Sequence, residues 1–178
     1  MTDLQTDRFL LRRWRKGDLP ALVKYANNRK IADFLRDGFP HPYTRKHGRQ
    51  FLRMATRHEA TNFLAIEINA EAVGSISFFR QMDIHRSNAE VGYWLAEPYW
   101  GQGIMSEAVE LFSRSIFEQY DIIRLYAEVL ATNHASQRVL ERAGFEREAV
   151  LKCAIIKNGI LHDEVIYSRL RPDYQRFL

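Results

Sequence analysis

The sequence predicts a single domain, residues 1–178, of the α/β (α+β) class, with helices on both faces of a mixed, mostly antiparallel twisted sheet. The chain of 178 residues is long enough to bury one core over both faces of a sheet. Its apolar residues switch repeatedly between the two-residue period of strands and the 3.6-residue period of helices. Near the end, the pair Asn158-Gly159 is typical of the tight turn in an antiparallel hairpin.

The apolar spacing and the turn residues together predict about seven strands and about four helices. Asp18 is placed to cap the first helix, Asn27 and Asn28 to stop it, and Thr44 to start the second. In chain order, the predicted elements are a strand over 9–14, the helices that follow Asp18 and Thr44, strands over 62–68, 72–79 and 89–95, a helix after Gly103, a strand over 122–130, a helix between Asn133 and Gly144, and a final hairpin over 149–156 and 160–170.

The composition is that of an ordinary soluble globular protein, with 46% hydrophobic and 27% charged residues. A single cysteine, Cys153, excludes an internal disulfide, and the six histidines show no metal-binding spacing. No basic and apolar leader opens the sequence, and no apolar run reaches the roughly 18 residues of a membrane helix. We therefore expect a cytoplasmic protein with no metal ion and no membrane partner.

The formal net charge is only +4, but the positive charge is concentrated in the first third of the chain. Through Arg57 there are 14 Lys or Arg residues against 5 Asp or Glu, and afterwards 12 against 17. The second helix contributes a basic face that carries Arg45, Lys46, Arg49 and Arg53. Such a region can hold a polyanionic cofactor, steer an acidic partner or contact RNA, or it is simply a solvated helix face.

The most informative segment is a strand followed by Gly101-Gln102-Gly103-Ile104 and a helix. Glycines allow close approach to the backbone, and the unpaired amides at a helix N-terminus favour an anion such as phosphate. No Gly-Lys-Ser/Thr follows, as in a P-loop, and no third glycine follows as in a dinucleotide fingerprint. By itself, a Gly-x-Gly pair before a helix is more often just a tight turn that binds nothing.

Five short motifs occur in the order of the predicted elements. They are Thr6-Asp7-Arg8-Phe9-Leu10-Leu11-Arg12, Glu90-Val91-Gly92-Tyr93-Trp94-Leu95, Tyr99-Trp100-Gly101-Gln102-Gly103-Ile104, Asn133-His134-Ala135-Ser136 and Ala143-Gly144-Phe145. Together with the order of the elements, they resemble the GCN5-related N-acetyltransferase (GNAT) superfamily from end to end. The motifs are also similar to those of its RimJ/RimL-type branch, the ribosomal-protein alanine and serine acetyltransferases.

The resemblance implies which residues bind acetyl-CoA as the co-substrate. Backbone amides would hold its pyrophosphate, a strand end would pair with its pantetheine arm as an added strand would, and a helix cap would contact the same arm. These three groups are, in order, Gln102, Gly103, Ile104, Met105 and Ser106; Trp94, Leu95 and Ala96; and Asn133.

The sequence departs from the general family pattern at the turn and at one catalytic position. Trp100 stands where Gln or Arg is usual, and Met105 where a small residue is usual, but neither change removes a backbone amide. Leu140 occupies the position where many members carry a tyrosine that is thought to protonate the leaving thiolate. Because leucine cannot donate a proton, the general acid must be another group.

An amine must lose a proton before it attacks the thioester carbonyl, so the reaction needs a base. Glu90 is the candidate, because a partly buried carboxylate beside the expected acetyl site can have a pKa raised toward neutrality. The alternative is a structural glutamate paired with Arg86 or another cation. Ser136 is the candidate proton donor, either directly or through a water, unless it only caps or packs at the helix start or solvent supplies the proton.

The roles of His85 and Asp163 stay open, with the acceptor site as one interpretation of each. Cys153 is predicted to be a packed, unreactive thiol. The expected function is transfer of an acetyl group to a primary amine, with the N-terminal amine of a ribosomal protein as the favoured acceptor. The alternatives are a small-molecule amine as acceptor, or a regulatory protein that binds acyl-CoA without catalysis. Nucleic acid is not the expected partner, and a homodimer is an open interpretation.

Overall fold

A computed structural model describes residues 3–57 and 62–177, which contain eight strands and five α-helices. The sheet has the strand order β1-β2-β3-β4-β5-β6-β8-β7. The elements are β1 (Leu4–Gln5), β2 (Leu10–Arg13), α1 (Leu19–Ala26), α2 (Arg29–Ala32), α3 (Arg45–Ala55), β3 (Phe63–Ile68), β4 (Glu71–Arg80), β5 (Asn88–Leu95), α4 (Ile104–Gln119), β6 (Arg124–Leu130), α5 (His134–Arg142), β7 (Glu146–Lys157) and β8 (Ile160–Leu170).

The predicted fold class, a mixed and mostly antiparallel sheet with helices, is confirmed. β5 and β6 pair in parallel, whereas β1–β2, β2–β3, β3–β4, β6–β8 and β7–β8 pair antiparallel. The prediction missed β1 and α2, because elements of two and four residues are too short to show a period. None of the described helices is both long and apolar enough to cross a membrane.

The described chain divides into two compact units. The first runs to Ser77 and includes Tyr93–Ala108, and the second comprises Phe78–Gly92 and the residues from Val109 onward. The prediction of one domain over 1–178 stays a prediction.

In the first unit, α1 and α3 pack together around buried aromatic and aliphatic side chains. The ring of Phe51 meets that of Trp14 edge-on, with centroids 5.2 Å apart. Gly48 of α3 allows close contact with α1, because an added Cβ would lie 2.7 Å from a methyl carbon of Leu19. The core cluster consists of Trp14, Leu22, Ala26, Tyr43, Leu52, Ala55, Ala65 and Ala72.

A buried ion network joins the start of α1 to β2 and β3. The guanidinium of Arg12, only 2% exposed, donates both Nη1 and Nη2 to the carboxylate of Asp18 at 2.8 Å and Nε to Glu67. Burial alone would lower the pKa of Arg12, but the hydrogen bonds to the two carboxylates outweigh it and raise the pKa. Asp18 occupies the predicted capping position, yet its carboxylate accepts from Arg12 and from the backbone of Arg15 instead of capping α1.

In the second unit, Phe112 of α4 packs against Phe78 of β4, and Leu140 of α5 is fully buried. The hydroxyl of Tyr167 donates to Glu141 at 2.8 Å, and burial, followed by this hydrogen bond, raises the pKa of Tyr167 to about 12. Asn158 and Gly159 both have positive φ, 51° and 77°, as the predicted hairpin turn requires.

Replacing Arg12 by Met should lower the free energy of unfolding by about 3–5 kcal/mol, because two carboxylates lose their buried partner. Urea unfolding followed by circular dichroism measures this. Arg13→Gln, at the exposed neighbouring position, is the control and should change the free energy by less than about 0.5 kcal/mol. Equal stability of the two variants would mean that the network contributes nothing to the fold.

Candidate functional site

The segment between β5 and α4 forms a tight, glycine-dependent turn. Gly101 and Gly103 have φ values of 74° and 78°, a conformation that side chains disfavour. The first α-helical hydrogen bond of α4 runs from the N–H of Glu107 to the carbonyl of Gly103, at 3.1 Å. The amides from Gly103 to Ser106 therefore precede the first residue whose amide has a helical acceptor, and they carry the partial positive charge of the helix end.

Arg8 holds this turn from the outside. Its Nη2 donates to the carbonyl of Gln102 at 2.6 Å, and its Nη1 lies 3.1 Å from a carboxylate oxygen of Glu107. In a trans peptide the C=O and the next N–H point in opposite directions, so the N–H of Gly103 faces away from Arg8. Arg8 thus sets the direction of one amide of the turn and compensates the negative charge of Glu107 in the first turn of α4.

Trp100 links the turn to the end of β5. Its indole Nε1 donates to the carbonyl of Leu95 at 2.7 Å, while the residue stays 43% exposed. Gln102 adds a second tie, because its side-chain amide donates to the carbonyl of Pro98 at 2.9 Å. Trp100, which stands where Gln or Arg is usual, therefore connects the head of the turn to the end of β5.

The end of β5 lies unusually close to β4. A Cβ on Gly74 would be 2.6 Å from the carbonyl oxygen of Trp94, and the N–H of Ala96 donates to the carbonyl of Val73 at 2.8 Å. Peptide groups alternate in direction along a strand, so the carbonyl of Leu95 points away from β4. That side of the strand is the one on which another extended chain would pair.

An aromatic group lies beside this strand end. The ring of Phe39, in the loop before α3, is 6.0 Å from that of Trp94 and 5.1 Å from that of Tyr43. Burial raises the pKa of Tyr43 to about 12, so its phenol stays neutral at physiological pH. These rings form an apolar wall with one hydroxyl, next to the backbone of β5.

In the second unit, Glu90 is half-buried on β5, directly opposite Tyr126 of β6 in the parallel register. Arg86, the cation considered as its partner, donates to the carbonyl of Asp83 at 3.2 Å. Asn133 is the N-cap of α5, because its side-chain oxygen accepts from the N–H of Ser136 at 3.1 Å. The predicted helix start is thereby confirmed.

Asp163 and Cys153 lie at an irregularity of the β7–β8 hairpin. Asp163 accepts from Nζ of Lys152 at 2.7 Å and from the N–H of Cys153 at 3.0 Å. The hydrogen bond from Lys152, followed by that from Cys153, lowers the pKa of the Asp163 carboxyl. The prediction that Cys153 is packed is wrong, since the bulge places it at a φ of 52° with the residue exposed. His85 is exposed, in the short 3-10 turn Asp83–His85.

The sequence profile of the acetyltransferase (GNAT) domain matches residues 8–146, more than half of the chain. The chain belongs to the GNAT acetyltransferase family. The predicted resemblance and the predicted enzyme class are thus confirmed, and the turn, α4 and the Asn133 cap all fall inside the matched region.

Named relatives point to the same branch of the family. YjcK of Bacillus subtilis is 35% identical over 101 residues, which cover 57% of this chain and 56% of that protein. The ribosomal-protein-serine acetyltransferase of Escherichia coli is 34% identical over 100 residues, which cover 56% of this chain and 55% of that protein. The chain therefore spans about half the length of these curated relatives.

Solved structures extend the similarity over the whole fold. A structure of RimL, described as a ribosomal-protein N-acetyltransferase in complex with coenzyme A, superimposes with a TM-score of 0.82 at 26% identity. The superposition covers 93% of this chain and 95% of that chain. The eight-stranded sheet is thus that of RimL-type members of the family.

The predicted site residues are divided between the two units. Those of the strand end, the turn and the first turn of α4 are continuous in the first unit, whereas Glu90, Asn133 and Ser136 belong to the second. Among the described residues, no group of three or more His, Cys, Asp or Glu side chains is placed to hold a metal ion. Arg8 was missed as a contact of the turn, although it lies in one of the motifs that carried the resemblance.

Gly74→Ala should lower the free energy of unfolding by about 1–3 kcal/mol, because the new methyl collides with a backbone oxygen of β5 that cannot move freely. Urea unfolding measures the change. Gly38→Ala is the matched control, since nothing lies within 4 Å of a Cβ added there. A Gly74→Ala protein as stable as the control would show that the close approach of β4 and β5 is not a constraint.

Proposed function

We propose that this protein transfers the acetyl group of acetyl-CoA to a primary amine, and that the acceptor is the N-terminal amine of a protein, with ribosomal proteins as the first candidates. The observation that carries the proposal is the turn at Gly101 and Gly103, which presents a row of helix-terminal amides. The acceptor is suggested by the relatives, because two of those described above are ribosomal-protein acetyltransferases.

The turn is suited to a pyrophosphate for two physical reasons. The amides from Gln102 to Ser106 offer hydrogen-bond donors at the positive end of α4. Arg8 compensates the carboxylate of Glu107, which would otherwise repel an anion at the same helix end. We assign the pyrophosphate of acetyl-CoA to these amides.

The end of β5 is suited to an extended amide chain such as pantetheine. The carbonyl of Leu95 faces away from β4, and it already accepts one hydrogen bond from Trp100. A carbonyl oxygen has two lone pairs, so it can accept a second N–H without losing the first. We therefore assign pantetheine to Trp94, Leu95 and Ala96, with Asn133 as a further contact that the family resemblance implies.

Proton transfer is assigned to polar side chains of the second unit. Glu90 is half-buried on β5, and we assign it as the base that takes the proton of the attacking amine. Ser136 is the proposed donor to the leaving thiolate, directly or through a water. Leu140, fully buried in the core, cannot take that role.

The aromatic wall of Phe39, Tyr43 and Trp94 is proposed to line the acceptor side of the acetyl site. Its rings exclude water from the reacting amine, which favours the neutral form that attacks the thioester. The cytoplasmic location, which the sequence predicts, stays a prediction. The homodimer stays an open interpretation.

Release of free thiol from acetyl-CoA, in the presence of different amines, tests this function. The panel contains N-terminal peptides of ribosomal proteins, spermidine, aminoglycosides and free amino acids. We expect the ribosomal peptides to stimulate release most strongly. Stimulation only by a small amine would assign the acceptor to that class, and binding of coenzyme A without turnover would favour a regulatory protein.

Glu90→Gln should lower kcat/KM by about 10²–10⁴-fold at neutral pH, because the base is lost while the shape of the side chain is kept. The deficit should shrink as the pH rises past about 8, where α-amino groups deprotonate in solution. Initial rates from acid to alkaline pH measure both effects, with the exposed Glu118→Gln as the control. Unchanged turnover at every pH would exclude Glu90 as the base.

Arg8→Met should raise the KM for acetyl-CoA about tenfold with little change in kcat, because a charged hydrogen bond that orients the turn is lost. The double variant Arg8→Met/Glu107→Gln separates two roles. If the double variant recovers the KM of the unmodified chain, Arg8 acts mainly by compensating the charge of Glu107. If the KM stays raised, Arg8 acts by orienting Gln102. Arg114→Met, which breaks the exposed pair with Glu110 on the same helix, should leave KM unchanged.

A further inference from the structure

The exposed face of α3 carries a row of cations. Arg45, Arg49 and Arg53 are spaced four residues apart, so they lie on one side of the helix about 6 Å from one another along its axis. Lys46 flanks the row, and all four residues are exposed. The row extends over the whole length of the helix.

These cations lack the carboxylate partners that five other cations of the first unit have. Between Asp37 and Glu59 the sequence has five Lys or Arg residues and no Asp or Glu. Within residues 3–57 and 62–177, the ion pairs formed by cations of the first unit involve Arg8, Arg12, Lys24, Arg29 and Lys30, and none involves a cation of α3. The positive charge of this face is therefore available to a partner.

The packing of the helix keeps the row at the surface. Gly48, Leu52 and Ala55 form the buried side of α3, where a Cβ added to Gly48 would lie 2.7 Å from a methyl carbon of Leu19 of α1. Rotation of α3 would bury charge and expose this apolar face. The cations are thus presented by a helix that is packed against α1.

We propose that this basic face of α3 binds the phosphodiester backbone of a nucleic acid. Nucleic-acid interfaces are far more positively charged than protein interfaces, whose buried centres are depleted in charge and rich in aromatic anchors. Three of the four cations are arginines, and the arginine fork pairs with phosphate through two parallel hydrogen bonds.

This surface goes beyond the proposed acetyltransferase function and does not depend on it. It also changes the expectation from the sequence, in which nucleic acid was not the expected partner. The sequence could not distinguish cations that are paired within the fold from cations that are free to bind. Phosphate contacts carry no base information, so we expect binding without sequence preference.

Fluorescence anisotropy of labelled nucleic acids, titrated with the full chain at several salt concentrations, tests the proposal. The probes are a single-stranded RNA, an RNA duplex and a DNA duplex. The probe that binds most tightly shows which kind of nucleic acid the face prefers. On a duplex, four phosphate contacts predict a loss of affinity of about 150-fold between about 50 and 200 mM salt.

The decisive variant is Arg49→Gln/Arg53→Gln, which removes two of the four contacts. Its loss of affinity over the same salt range should fall to about twelvefold on a duplex. The control Arg142→Gln/Arg147→Gln removes the same charge from exposed positions outside α3 and should behave as the unmodified chain does. Circular dichroism and thiol release verify that both variants remain folded and active.

Two results would overturn the proposal. One is an affinity and a salt dependence that are the same in the α3 variant and in the unmodified chain. The other is binding of labelled poly-glutamate with equal or higher affinity, which would assign the face to an acidic protein. Loss of acetyl transfer with intact nucleic-acid binding would count against the proposed function alone.

Discussion

The close approach of β4 and β5 at Gly74 is the constraint on which the candidate site depends. A side chain at this position would collide with the carbonyl of Trp94, so only glycine allows the two backbones to meet as they do. The contact directs Trp94 and Ala96 toward β4 and leaves the carbonyl of Leu95 on the opposite side. From that carbonyl, Trp100 connects the strand to the turn that begins α4.

The basic first third of the chain contains cations with three different roles. Arg12 is buried with two carboxylates and joins β2 to the start of α1 and to β3, while Arg8 orients the turn before α4. The cations of α3 have no such partner among the described residues, and their helix is fixed by its buried face. The excess of positive charge in this part of the sequence thus includes cations that stabilise the fold, cations that orient the turn and cations on an exposed surface.

Most of the fold could be predicted, because the periodic spacing of apolar residues and the turn and cap residues, mainly glycine and asparagine, indicated the same helix and strand boundaries. The Asn158-Gly159 hairpin and the Asn133 cap are local signals and were found. The contacts of Arg8 and Trp100 could not be predicted. Arg8 lies far in sequence from the turn that it contacts, and the sequence does not indicate which acceptor the indole N–H of Trp100 bonds to. The exposure of Cys153 was missed because β7 lies at the edge of the sheet and is exposed on both faces along most of its length.

The proposed function depends most on the amides at the start of α4, to which we assign the pyrophosphate of acetyl-CoA. Amide NMR of the labelled protein during titration with coenzyme A tests this assignment most directly, because hydrogen bonds to phosphate change the shift of the donor amide. We expect the largest saturable changes at Gly103, Ile104, Met105 and Ser106. Saturable binding that leaves these amides unchanged, or an absence of binding, would contradict the assignment.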